Sequence, residues 1–165
     1  MAKQLLLVRH SKSDWGNAGL ADFDRPLNNR GKENAPEMAE RLINKGFKFN
    51  LMVSSPANRA LQSAKYFAEI YGVTQITTIK GIYEANTSTL LQIVNEFNSE
   101  ADTVVLFGHN PGLTDFANEL CNANIYNIPT SGMVLISFAF DSWEMVSRGI
   151  GELVFFDYPK NSDEM

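Results

Sequence analysis

The sequence predicts an α/β fold with a largely parallel sheet, and three observations lead there. Two short stretches, residues 5–8, apolar throughout, and residues 103–107, apolar from Val104 on, suit strands buried on both faces. Several stretches carry apolar residues at helical spacing. Strand-like and helix-like stretches alternate as βαβαβαβα over the first three quarters of the chain, the order of a sheet wrapped by crossover helices.

Composition sets the bounds. A chain of 165 residues suits one domain over 1–165, with a frayed polar tail at 159–165. A net charge of −5 with scattered Lys and Arg gives no general attraction to nucleic acid or anionic membrane. No apolar stretch approaches the roughly 20 residues of a membrane span. The N-terminal apolar run is too short for a signal peptide, so a cytoplasmic location is expected. The single cysteine, Cys121, forms no internal disulfide and fits a reducing compartment. With only two histidines, His10 and His109, a His/Cys zinc site is improbable, and no metal or other cofactor is expected.

In chain order, the first strand ends in Arg9-His10. A long polar stretch follows at 11–28, with Gly16, Gly19 and Pro26 as loop markers. Trp15, Leu20 and Phe23 offer it apolar anchors, and Lys12 and Arg25 bring it positive charge. Ala35, Met38, Ala39, Leu42 and Ile43 share one helical face. Pro36 belongs near a helix start, which places that start at 31–34, with Gly46 as the stop. A second strand at 49–53 runs into Ser54-Ser55-Pro56, which reads as a serine N-cap with proline in the first turn. Ala57, Ala60, Leu61, Ala64 and Ala68 form the buried stripe of the helix that follows, with Arg59 outside it. Residues 76–79 are a weak strand, and Tyr83-Glu84-Ala85-Asn86 is a turn. A third helix turns Leu90, Ile93, Val94 and Phe97 inward. After the strand at 103–107, Gly108-His109-Asn110-Pro111-Gly112 opens a fourth helix with Leu113, Phe116, Ala117, Leu120 and Cys121 inside. Two last strands, 133–140 and 151–156, lack an intervening helix and should pair antiparallel at one sheet edge.

Parallel strands end at one crevice. There Arg9-His10, then Ser54, Ser55 and Arg59, then His109 can converge. Two guanidiniums and two imidazoles suit a tetrahedral dianion, and helix starts add backbone donors. There is no Gly-rich loop ending in Lys-Ser/Thr, and no Cys with Arg six residues on.

Arg9-His10-Ser11-Lys12-Ser13 resembles the signature of the histidine phosphatase (phosphoglycerate mutase-like) superfamily. So do the stretch from Ser55-Pro56 through Arg59 to Ala64, and Gly108-His109-Asn110-Pro111-Gly112. Arg25-Pro26-Leu27, with Arg30-Gly31, is similar to the family's approach to its first helix. The resemblance spans residues 4 to about 140, and the short chain is most similar to the SixA-type branch, which acts on phosphohistidine in proteins. It implies a three-layer α/β/α, phosphoglycerate mutase-like fold with a mostly parallel sheet and an antiparallel edge strand.

The resemblance also implies roles. His10 would be the nucleophile. Arg9 and Arg59 would clamp the phosphoryl oxygens, and His109 would complete the wall. Ser11, Lys12, Arg25 and Asn110 would border the substrate. Ser11 departs from the family's usual glycine. Glu84 matches the approximate position of the family's general acid, and reads equally well as a solvated turn carboxylate. A phosphohistidine substrate would leave less for such an acid to do. Asp14, Asp22 and Asp24 could reach the crevice, with surface solvation as their more ordinary role, and Thr130-Ser131-Gly132 could border it. The expected activity is a metal-independent phosphatase on a phosphorylated protein. The alternatives are a phosphatase for a small phosphate ester and a phosphate-binding module without catalysis. The oligomeric state is not legible.

Overall fold

The computed structural model describes residues 2–159, and the expected frayed tail falls outside the described residues except for Pro159. Six strands form one sheet: β1 (Lys3–Arg9), β2 (Leu51–Ser54), β3 (Thr77–Thr78), β4 (Thr103–Gly108), β5 (Met133–Phe138) and β6 (Glu152–Asp157). Their order across the sheet is β3-β2-β4-β1-β5-β6. The first four run parallel, while β5 is antiparallel to both β1 and β6. The antiparallel pairing of the last two strands is as expected. They form one side of the sheet, with β5 inside and β6 at the edge.

The apolar run of β1 is unbroken because both of its faces are covered. Leu5 and Leu7 face one core with Val104 and Leu106, closed by Leu90 and Val94 of α3 (Thr87–Asn95) and by Leu113, Phe116 and Leu120 of α4 (Gly112–Cys121). Leu6 and Val8 face a second core with Val105 and Phe107. Met38, Ala39 and Leu42 of α1 (Asn29–Asn44) and Ala64 and Phe67 of α2 (Asn58–Tyr71) close that one. The result is three layers, helices on both faces of a mostly parallel sheet.

Register then positions the site. Arg9 pairs with Gly108 at the ends of β1 and β4, so the next residue on each strand, His10 and His109, leaves the sheet beside its neighbour. Their ring centroids are 5.1 Å apart.

Several local expectations are corrected. Helix α1 starts at Asn29, capped by the Asn28 side chain accepting from Gly31 N–H, so Pro36 sits inside it rather than in its first turn. Tertiary packing of Ala35, Met38 and Ala39, all fully buried, offsets the backbone hydrogen bond Pro36 cannot donate. Ile43, at the rim of that face, is 40% exposed. Helix α2 starts at Asn58 with Ala57 as its N-cap residue, so Ser55 is not the cap. Phe67 replaces Leu61 in the buried stripe. Strand β5 ends at Phe138, two residues early. The loop at 11–28 is anchored by Leu27, 2% exposed, and by a bridge between Ser13 and Leu27, while Trp15 is 65% exposed.

Candidate active site

The site lies where β2, β4 and β1, three neighbouring strands, end together. His10 is buried, and its Nδ1 lies 2.7 Å from the Ser11 carbonyl oxygen. A carbonyl only accepts, so Nδ1 carries the proton. The Arg59 Nε–H donates to His10 Nε2 at 3.3 Å, consistent with a lone pair there. Two independent hydrogen bonds thus set the same tautomer: a neutral ring with Nε2 available as a nucleophile.

Burial pushes the pKa of His10 down to about 3, and the charges of His109, Arg59 and Arg9 add to the shift against the single raising effect of the Ser11 hydrogen bond. Burial, then Arg59, pushes His109 down to about 4. Both rings are therefore neutral at pH 7. The fixed positive charge belongs to Arg9 and Arg59. Arg9 donates through Nη1 to the Ile128 carbonyl at 2.9 Å, and its Nε is buried without a partner among the described residues. His109 Nε2 is 2.7 Å from Ser55 Oγ, and its Nδ1 is likewise buried without a partner. Ser55 Oγ also accepts from Ala57 N–H, so the residue expected as a helix cap braces His109 instead.

Ser11, in place of the family's usual glycine, is packed into the floor. Its N–H donates to Ser63 Oγ at 2.8 Å, and its hydroxyl bonds that of Ser131. Ser131 holds a left-handed backbone (φ 66°), with its N–H shared by the Arg9 and His10 carbonyls. Ser63 in turn donates to the Arg59 carbonyl. This serine chain links the backbone of His10 to that of Arg59. Thr130, next to Ser131, lines the pocket.

Two clefts meet at the Arg59–His109 wall. One, of about 390 Å³, holds Arg9, His10, Lys12 and Thr130. The other, of about 840 Å³, holds Asp22, Tyr83, Glu84 and Asp115. Arg59, His109 and Asn110 border both. Asn110 is committed to bracing: Nδ2 donates to Asn127 Oδ1 and the Ile128 carbonyl, and Oδ1 accepts from Thr114. Lys12 is exposed at the rim. Arg25 is not brought to the pocket. Its guanidinium lies 3.9 Å over the Trp15 ring and reaches only loop carbonyls. Glu84 faces the larger cleft from a left-handed backbone (φ 58°), and no side-chain hydrogen bond ties it to His10 or His109.

The sequence places Asp22 only among three loop carboxylates able to reach the crevice, with surface solvation as the more ordinary role, and it gives Tyr83 no part in the site beyond a turn. Asp22 Oδ2 accepts from Arg59 Nη2 at 3.0 Å and from the Tyr83 hydroxyl at 2.7 Å, while its carbonyl accepts from Arg59 Nη1 at 2.7 Å. The acidic trio in the loop was the only signal, and nothing distinguished Asp22 from Asp14 and Asp24.

A strand-end pocket with two fixed guanidiniums and a neutral, oriented imidazole defines an α/β protein whose crevice can hold a tetrahedral oxyanion against a ring-nitrogen lone pair. Residues 5–116 match the histidine phosphatase superfamily (branch 1), and the chain belongs to that superfamily. In structure it is similar to a putative phosphohistidine phosphatase SixA from Agrobacterium tumefaciens, 25% identical, with a TM-score of 0.83, covering 96% of this chain and 99% of that one. In sequence it is similar to an uncharacterized protein of Mycobacterium tuberculosis, 29% identical, covering 93% of this chain and all of that one. An uncharacterized chloroplastic protein of Arabidopsis thaliana is 27% identical, over 87% of this chain and 70% of that protein. Among the described residues no helix is long and apolar enough to cross a membrane, and no group of three or more His, Cys, Asp or Glu is placed to hold a metal ion.

Proposed function

We propose that the protein is a metal-independent phosphatase that works through phosphorylated His10 and takes phosphohistidine on a protein as its substrate. One observation carries the reading. His10 is held as the Nδ1–H tautomer with Nε2 beside Arg59. An ordinary solvated histidine interconverts between tautomers and is partly protonated near neutral pH. This one is fixed in the form that attacks.

In the proposed first step the Nε2 lone pair forms a bond to phosphorus. The bond from phosphorus to the leaving group breaks, and its electron pair stays with the leaving atom. Arg9 and Arg59 meet the charge that spreads over the phosphoryl oxygens, and His109 donates to the same oxygens. The proton on Nδ1 remains there, and the Ser11 carbonyl stabilises the positive ring that results. Water then attacks phosphorus, the P–Nε2 bond breaks, and its electrons return to the ring. One water proton passes to a phosphate oxygen, giving dihydrogen phosphate and neutral His10. The likeness in structure to a putative phosphohistidine phosphatase SixA supports a phosphorylated protein as the substrate.

The test is a substrate panel: a phosphorylated histidine phosphotransfer domain beside sugar phosphates and phosphoglycerate, with chelator present. The expected outcome is fastest turnover of the phosphoprotein and an acid-labile phosphoryl group trapped on the wild-type chain. His10→Ala should abolish both. Turnover that survives loss of His10 would overturn the mechanism, and faster turnover of the small esters would overturn the substrate.

A further inference from the structure

We infer that Asp22 selects a protonated nitrogen ring as leaving group: its carboxylate accepts the far N–H of a phosphoimidazolium while the near nitrogen releases the phosphoryl group. The inference rests on the phosphohistidine reading above and names a specificity-determining residue for it.

Transfer of a phosphoryl group between two imidazoles is symmetrical. Neither ring gains or loses a proton overall if each keeps one on the nitrogen not bonded to phosphorus. His10 has that arrangement, with Nδ1–H on the Ser11 carbonyl. The departing ring needs a matching acceptor on its own far side. Among the described residues, Asp22 is the carboxylate of the adjoining cleft that is hydrogen-bonded to Arg59. One guanidinium separates it from the nucleophile: Arg59 touches His10 through Nε and Asp22 through Nη1 and Nη2. Its turn (Asp22–Asp24) is fixed twice more, by Tyr83 on the carboxylate and by Phe23 packed edge-on against the Tyr83 ring. Both donors fall on Oδ2, and among the described residues none is bonded to Oδ1.

The same partners decide what Asp22 can do. The Tyr83 hydroxyl, with help from Arg59, holds its carboxyl below the usual carboxylate range against the opposing effect of burial. An ionised carboxylate accepts an N–H but has no proton to give to an alkoxide. It therefore assists a P–N bond that breaks toward a neutral ring, and not a P–O bond that needs a general acid. Glu84, Asp115 and Glu119 line the same cleft, which further disfavours an anionic leaving group.

The step balances. The His10 Nε2 lone pair forms the new N–P bond. The old P–N electrons stay on the near nitrogen of the leaving ring, whose far nitrogen already carries its proton. The ring departs neutral, and His10 becomes the positive phosphorylated ring.

The experiment compares two probes of similar size, phosphoimidazole and phenyl phosphate, on the wild-type chain and on Asp22→Asn, with orthovanadate binding as a second measurement. A charge-assisted hydrogen bond lost from the leaving ring should lower kcat/KM for phosphoimidazole by about tenfold or more. Phenyl phosphate turnover should rise and orthovanadate should bind more tightly, because a negative charge beside the phosphoryl oxygens is gone. Equal loss on both probes with weaker vanadate binding would reduce Asp22 to a brace for Arg59 and overturn the inference. A larger loss on phenyl phosphate would make Asp22 a general acid and overturn it as well. A wild-type chain that hydrolyses phenyl phosphate but neither phosphoimidazole nor phosphohistidine would instead sink the phosphohistidine reading itself.

Discussion

The floor of the pocket and the loop beside it are held by different physics. His10 and His109 leave adjacent parallel strands in matched register, and their backbones are fixed by the sheet and by two buried cores. The loop at 11–28 has little buried apolar surface beyond Leu27. Its site residue, Asp22, is placed by hydrogen bonds to Arg59 and Tyr83 and by one ring contact from its neighbour Phe23. The floor is held by packing that does not involve a ligand. The loop is positioned by the same guanidinium that is proposed to hold the phosphoryl group. Arg59 is therefore the joint between the two regions, and removing it should show the largest effect after His10 itself. Arg59→Met is expected to lower kcat/KM by about 10³, in the range of losing one preorganised oxyanion donor. It should also raise the proteolytic susceptibility of the loop without changing that of the sheet. Loss of activity with the loop unchanged would show that the loop is held independently, and the comparison would fail.

Acid should separate the regions next. Burial depresses both floor histidines, to about 3 and about 4, below the value of about 6.5 in an unfolded chain. As pH falls through 6.5, the unfolded state takes up two protons that the folded state refuses. The stability these neutral rings confer is thus complete above about pH 6.5 and lost progressively between there and about pH 3. With both groups contributing, the slope approaches about 2.7 kcal/mol per pH unit near pH 5. Melting temperature measured against pH should show this, and His10→Gln with His109→Gln should flatten it. An unchanged slope in the double variant would move the acid sensitivity elsewhere. Asp22, exposed and in the loop, should contribute little to either curve.

What could be read from the sequence follows the same division. The floor was legible because strand ends, helix starts and the apolar runs that fix them are local patterns with known geometry. Arg9, His10, Arg59 and His109 meet as those patterns imply. The loop was not legible, since no period governs it. Arg25 carries the same charge as Arg59, but a neighbouring tryptophan ring diverts it, a contact that spacing cannot show. Asp22 and Tyr83 are 61 residues apart and meet only because the turn before α3 faces the loop. Ser55 was placed correctly but given the wrong partner: a serine before a helix suggests a cap, and only the structure shows its hydroxyl on His109. Likewise Ser11 reads as a tolerated replacement for glycine, whereas its hydroxyl and N–H are both bonded within the floor.

The smallest expected effect tests where floor and loop are stitched together. Gly31, in the first turn of α1, lies against the backbone of Lys12, and a Cβ there would sit 2.3 Å from the Lys12 carbonyl oxygen. That oxygen already accepts from Asn28 N–H at 2.9 Å, so it has no room to retreat without breaking the entry to the helix. Lys12 follows Ser11, whose carbonyl sets the His10 tautomer. Gly31→Ala should therefore cost about 1–3 kcal/mol of stability, as overpacking does. The displacement has two directions open to it. If the loop is the softer region, Lys12 and the residues after it shift outward, stability falls, and orthovanadate binding changes little. If the strain instead reaches Ser11, the Nδ1 hydrogen bond lengthens and turnover falls with stability. Chemical shifts of the His10 ring nitrogens distinguish the two. The hydrogen bonds of Ser11 to Ser63 and Ser131 favour the first, because they hold the floor in place while the loop gives way.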